Sequence, residues 1–339
     1  MATLDRIEIR RVDDMHVHLR QGEMLKNVMP YTAGQCARAL VMPNTTPPVL
    51  TAEDLNRYRS EILAELETGR DFEPLMTFKV VPALKVDEIE KLKQAGAVAG
   101  KLYPEGVTTN SADGVKDFKE LYPVYEAMER EDLVLCIHGE VPGVFSLDRE
   151  SAFLSTLKEI VRDFPKLRVV LEHATTREAV ELVGSMSEHV AATLTLHHLY
   201  LTLDDVIGGG LSPHAFCKPV AKLPSDRKAL LDAAFSGDPK FFLGSDSAPH
   251  LISAKENACG AAGVYTAPVL LPSLLQLFEE HGKLDRFEAF VSEYGARFYK
   301  LPLNQGKMVF AREEWQVPED CAGVKPFMAG EKLHWKVLD

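Results

Sequence analysis

Cysteine is scarce in this chain. The five thiols, Cys36, Cys136, Cys217, Cys259 and Cys321, are scattered over 339 residues, and no two form a Cys-x-x-Cys pair. An odd, dispersed set excludes a disulfide framework and a zinc-finger scaffold, and it fits a reduced, cytoplasmic protein. Positive charge is in deficit as well. Thirty-eight lysines and arginines face 50 aspartates and glutamates, for a formal net charge of −12. A nucleic-acid partner is therefore not expected, and an anionic small-molecule substrate would need a local cationic pocket. No apolar run approaches the ~20 residues that span a bilayer. Residues 1–6 carry no apolar signal-peptide segment, so no membrane association is expected. Internal repeats, low-complexity tracts and domain-splitting linkers are also missing. The expectation is one domain over 1–339.

What is present is an alternation. Short apolar runs lie near 12–19, 37–42, 75–81, 97–102, 133–138, 167–173, 190–195 and 240–245. Several are continuous apolar blocks, as strands covered on both faces should be. Between them, helical spacing recurs over 51–67, 87–95, 121–131, 149–164, 176–186 and 226–235, and twice more over 268–281 and 285–297. Thr51 and Asp54 resemble a capping box at one helix start. Pro123 makes its helix start there or kink. Residues 208–213, with three consecutive glycines and a proline, read as a long loop, and the tail from Leu301 as extended and irregular. Eight strands alternating with helices predict an α/β fold, a closed parallel (β/α)8 TIM barrel. A doubly wound open sheet is the alternative, but it would want a glycine-rich loop where His16-Val17-His18-Leu19-Arg20 stands.

Barrel chemistry is built at the C-terminal ends of the strands. Strand one ends in His16, His18 and Arg20, and strand two in Met42-Pro43-Asn44. Strand four ends in Lys101, strand five in His138-Gly139-Glu140, strand six in Glu172-His173, and strand eight in Asp246 through His250. On a strand, residues i and i+2 leave one face, so His16 and His18 can converge on a single ion. Five of the eleven histidines fall at or just past these ends. His16, His18, His138 and His173 with Asp246 suit zinc or a similar first-row metal, and they exceed what one tetrahedral ion needs. A lysine ammonium repels cations, but a carbamate on Lys101 would be an anion able to bridge two. Other roles stay open for single residues. Asp246 could cap a turn, and Lys101 could pair with Glu140 or Glu172. The polar loop at Thr108 and Thr109 follows strand four. His197 and His198 carry no assignment, and Cys259 has no base near it in sequence.

The motifs DDMHVHLRQGEML, VMPNTTPP, KLYPEGVTTNS, IHGEV, LEHATT and LGSDSAPH, and the loop at Cys259-Gly260, resemble the amidohydrolase superfamily. They are closer still to its short, class II dihydroorotases. The resemblance runs over nearly the whole chain. It implies two zinc ions, bridged by Lys101 as N6-carboxylysine and by a hydroxide. His16, His18, Lys101 and Asp246 would hold one ion, and Lys101, His138 and His173 the other. It implies reversible cyclisation of N-carbamoyl-L-aspartate to L-dihydroorotate, the third step of pyrimidine synthesis, with Asp246 as catalytic acid and base. Arg20, Asn44 and His250 match the groups that clamp the substrate carboxylate, Thr108 and Thr109 the closing loop, and the backbone at Lys218 and Ala262 the ring contacts. A homodimer is expected on the same ground. Met15, His197 and Lys218 depart from the bacterial pattern, which has an aromatic, a glutamine and an apolar residue there. The rival readings are a hydantoinase or allantoinase, a non-catalytic dihydroorotase-like scaffold, and a mononuclear deaminase.

Overall fold

The computed structural model describes residues 5–111 and 113–338; the signal-peptide reading of residues 1–4 lies outside them. Eight parallel strands form one sheet in chain order: β2 (Val12–Val17), β3 (Cys36–Val41), β4 (Glu73–Val80), β5 (Ala97–Leu102), β6 (Val134–His138), β7 (Val169–Glu172), β8 (Val190–Leu194) and β9 (Phe241–Leu243). Each coincides with an expected apolar run. One inward residue or more from every strand builds the inner core: Met15, Leu40, Leu75, Ala99, Val134 with Cys136, Val170, Ala191 and Phe242. Tyr299 packs onto this cluster, its hydroxyl 3.1 Å from Cys136 Sγ.

The barrel closes between β2 and β9, and the join sits at the rim. Asp246 N–H donates to the His16 carbonyl (2.9 Å) and His18 N–H to the Ser247 carbonyl (3.1 Å), with a parallel bridge between Val17 and Ser247. Buried Asp14 adds a side-chain tie. It accepts from Ser245 N–H at 2.7 Å and Ser245 Oγ–H at 2.5 Å, and from His16 N–H at 3.1 Å. Gly244 permits the approach, since a Cβ there would lie 2.7 Å from Thr193 Cγ2 and 3.0 Å from His16 Cβ.

The expected helices are present as Ala52–Ala64, Val86–Gln94, Tyr122–Arg130, Arg149–Asp163, Arg177–Ser185, Pro224–Ser236 and Leu270–Glu280, the last pattern divided into Leu284–Ser292 and Tyr294–Phe298. The Thr51–Asp54 capping box is formed, and Pro123 sits in the first turn of its helix, where a missing N–H costs nothing. A helix over Gly22–Gln35, with Pro30 inside it, was not expected. Residues 208–212 form the expected loop, and two short helices, Leu196–Tyr200 and Leu203–Ile207, stand between it and β8.

The tail needs correction. From Leu301, where irregular chain was expected, β10 (Lys307–Gln316) and β11 (Lys332–Leu338) join β1 (Arg6–Arg10) in a three-stranded antiparallel sheet, order β1-β10-β11. Leu333 and Trp335 of β11 are buried, and the alternating Lys332, His334 and Lys336 are exposed. Glu279 of the helix Leu270–Glu280 accepts from Trp335 Nε1–H at 2.8 Å and pairs with Arg312, fastening this sheet to the barrel wall.

Candidate metal centre

Strand ends bring four imidazoles, one carboxylate and one amine to the rim. His16 and His18 ring centroids are 5.4 Å apart, His16 and His173 5.2 Å, His138 and His173 4.7 Å. Asp246 Oδ1 lies 3.1 Å from His18 Nε2 and 3.4 Å from His16 Nε2. One ligand atom from each of His16, His18 and Asp246 falls within 4.8 Å of the others, a donor set suited to a divalent cation. Lys101 and His173 are buried, and neither the Lys101 amine nor His173 Nδ1 has a hydrogen-bond partner. Orphaned donors and lone pairs of this kind are costly in a protein interior unless something else binds them.

Two carboxylates that the sequence offered as partners for Lys101 sit behind histidines instead. Glu172, wholly buried, accepts from His16 Nδ1–H at 2.8 Å and from Thr193 Oγ–H at 2.6 Å. Glu140 lies 2.7 Å from His138 Nε2. A carboxylate behind an imidazole sets its tautomer and leaves the other nitrogen for a metal. These orienting roles went unread because nothing in the spacing shows which way a carboxylate will face.

Charge in the basin follows from burial and neighbours. Burial pushes the Lys101 amine down, and it takes His138 and His173 below the usual imidazole range and His18 to about 4. Burial alone would raise the Asp246 carboxyl. The charges of His16 and His173 and the hydrogen bond with His18 outweigh that and hold it well below the usual carboxylate range. Arg20, His173 and Asp246 adopt left-handed backbone, φ +61°, +43° and +45°. Such strain in non-glycine residues gathers at functional sites.

The remaining expected residues surround the same hollow. Arg20, Asn44, Thr108, Thr109, Lys218 and Ala262 line it, together with Tyr103 and Gly263. His250 stands just behind, its Nε2 accepting from Arg20 Nη2–H at 3.1 Å while Arg20 Nε–H donates to the Pro249 carbonyl at 3.1 Å. The loop carrying Thr108 and Thr109 lies against the rim. Asn44 Nδ2–H donates to the Thr109 carbonyl (3.2 Å), and Asn110 Nδ2–H to the Asn44 carbonyl (2.9 Å). Lys79, buried on β4, supports that loop through the Asn110 carbonyl (2.8 Å). It too was not foreseen. No helix among the described residues is long and apolar enough to cross a membrane.

Comparison with known proteins agrees with this geometry. Residues 12–308 match the amidohydrolase family. A dihydroorotase of Delftia acidovorans is 46% identical over 344 residues, covering 99% of each chain. Among solved structures, a dihydroorotase from Saccharomyces cerevisiae, in complex with 5-fluoroorotic acid, superposes with a TM-score of 0.93 at 39% identity, covering 99% of each chain. One from Campylobacter jejuni gives 0.92 at 39% identity, covering 99% of this chain and 98% of that one. With its barrel, its rim of histidines and these full-length relationships, the chain belongs to the amidohydrolase family and, within it, to the dihydroorotases.

Proposed function

We propose that the basin closes N-carbamoyl-L-aspartate to L-dihydroorotate and water, and reopens that ring, on two zinc ions. His16, His18, Lys101 and Asp246 would hold one, and Lys101, His138 and His173 the other. The observation that carries this reading is the buried, unpartnered Lys101 amine among four imidazoles and a carboxylate. Burial favours the neutral amine, and a neutral amine adds to CO2. An N–C bond forms, a proton leaves, and Lys101 becomes a carbamate anion whose two oxygens serve both halves of the donor set. When bound, the cations supply Lewis acidity and lower the pKa of water from about 15.7 to around 7.

Asp246, held ionised, accepts the proton of the attacking water and passes it to the leaving ring nitrogen. In synthesis it takes the ureido proton as that nitrogen attacks the carboxylate carbon. Arg20, steered by Pro249 and His250, presents its planar fork to the spectator carboxylate, with Asn44 and His250 beside it. That local cation lets an acidic protein hold an anionic substrate. Thr108 and Thr109 cover the substrate and exclude water, and the backbone at Lys218 and Ala262 faces the ring edge. Assembly as a homodimer and a cytoplasmic location belong to the same proposal.

Asp246→Asn tests it. The variant should keep at least one cation per chain while ring opening of dihydroorotate falls by about 10²–10⁴; near-normal turnover would remove the mechanism. Lys101→Ala should lose metal and regain part of it, with activity, when short carboxylic acids are added. Hydantoin and allantoin serve as control substrates and should be turned over poorly.

A further inference from the structure

A second group of metal-ligating atoms lies buried beside the basin wall, outside the six-residue centre. His197 and His198 stand on the helix Leu196–Tyr200, and Cys217 immediately precedes the basin-lining Lys218. One ligand atom from each of the three lies within 4.8 Å of the others, and all three residues are buried. Cys217 Sγ is 3.4 Å from His198 Nε2 and 3.2 Å from the Pro219 carbonyl oxygen, and that Nε2 is 3.0 Å from the same oxygen. A tetrahedral zinc ion, with Zn–N about 2.0–2.1 Å and Zn–S about 2.3 Å, separates its donors by about 3.3–3.7 Å. The three measured separations thus need to open by only roughly a few tenths of an ångström to match. His197 supplies the fourth corner. Its ring centroid is 4.3 Å from that of His198, it is wholly buried, and neither of its nitrogens has a hydrogen-bond partner.

His198 can free its Nε2. Its Nδ1 is 2.8 Å from Thr195 Oγ, and a hydroxyl serves either tautomer, donating to a bare Nδ1 or accepting from Nδ1–H. We propose that His197, His198 and Cys217, with the Pro219 carbonyl, form a separate site for one borderline-soft divalent cation, Zn²⁺ or Cd²⁺. On binding, the S–H bond breaks, a sulfur–metal bond forms and the proton leaves to solvent, with no change of oxidation state. Because binding releases the thiol proton, the site loads more readily as pH rises. An occupied site would pin residues 217–219, and with them the wall that carries Lys218.

The site can be read apart from the principal centre, because none of the six residues there is a cysteine. The metal-loaded enzyme, in a Cys259→Ser background that removes the one exposed thiol among the described residues, is titrated with Cd²⁺. A thiolate-to-cadmium charge-transfer band in the ultraviolet should saturate at one equivalent per chain. Cys217→Ser should abolish the band and hold one cation fewer than its parent. His197→Gln should weaken Cd²⁺ binding at least tenfold, and it keeps the test open if the serine variant misfolds. A missing band, or one that survives in Cys217→Ser or is unweakened in His197→Gln, overturns the proposal. Ring opening by the parent is measured alongside and reports on the principal centre alone.

Discussion

Glu172→Gln is the substitution that most directly tests how the centre is held. Glu172 is buried on β7 and accepts two short hydrogen bonds, from His16 Nδ1–H and Thr193 Oγ–H. Burial would raise its carboxyl; the charge of His16 and the hydrogen bonds from His16 and Thr193 bring it below the usual range, so an anion sits behind His16. An amide is nearly isosteric and keeps one acceptor for the imidazole. It removes the charge and puts an NH2 group where Oε1 has no hydrogen-bond partner, while the amide oxygen, in place of Oε2, takes both bonds. Losing a carboxylate behind a ligating histidine costs about 10- to 100-fold in metal affinity, or roughly 1.4–2.7 kcal/mol. The magnitude should sit toward the upper end, because the group is wholly buried and both of its donors lie at 2.8 Å or less. The assay is competition with a chelator of known affinity, followed by ring opening at saturating metal. Much of the activity should return when metal is in excess, since the ligands themselves are intact. Metal retention within twofold of the parent would refute the view that Glu172 orients and polarises His16.

Two further outcomes follow from packing and charge. Gly244→Ala places a methyl 2.7 Å from Thr193 Cγ2 and 3.0 Å from His16 Cβ; it should cost about 1–3 kcal/mol by overpacking and lower turnover by displacing His16, and unchanged melting with full activity would contradict this. Lys255 donates to the Phe216 and Gly263 carbonyls, and burial lowers its pKa from 10.5 to about 8. Between pH 8 and 10.5 the folded chain has shed that proton while the unfolded chain keeps it, so stability rises with pH across this window, by up to about 3 kcal/mol. Lys255→Met should lack that rise; urea melts of the two proteins that run parallel from pH 8 to 10 would dismiss it.

The barrel and the gathering of these side chains at its rim were legible because both rest on strong local signals. Continuous apolar runs mark strands sandwiched between layers, and the polar residues ending them mark the rim. The helix Gly22–Gln35 was hidden by Pro30 and by the absence of a capping side chain at Gln21. The tail was misread for a different reason. Lys332-Leu-His-Trp-Lys-Val337 alternates strictly, the mark of a strand with one dry face, but attention to doubly covered strands passes over that period. The left-handed backbone at Arg20, His173 and Asp246 went unread, since none is a glycine that would announce it. The partners of Glu172 were equally beyond reach, because His16 and Thr193 lie more than 20 residues away; Glu140 faces His138, two residues before it, but spacing alone does not show which way its carboxylate turns.

The join between β2 and β9 has a consequence for the chain as it is made. The first two donors and the last one lie about as far apart in sequence as the barrel allows, and they meet across the final joint to close. Cations held as proposed would act as a clasp: they would grip the fully wound cylinder and have no comparable hold on a partly wound one, so mass action would draw the molecule toward closure. On that proposal, a growing chain that has not yet delivered Asp246 would possess most of the donors but no finished cage, and metal capture and chemistry would both wait until the cylinder is complete.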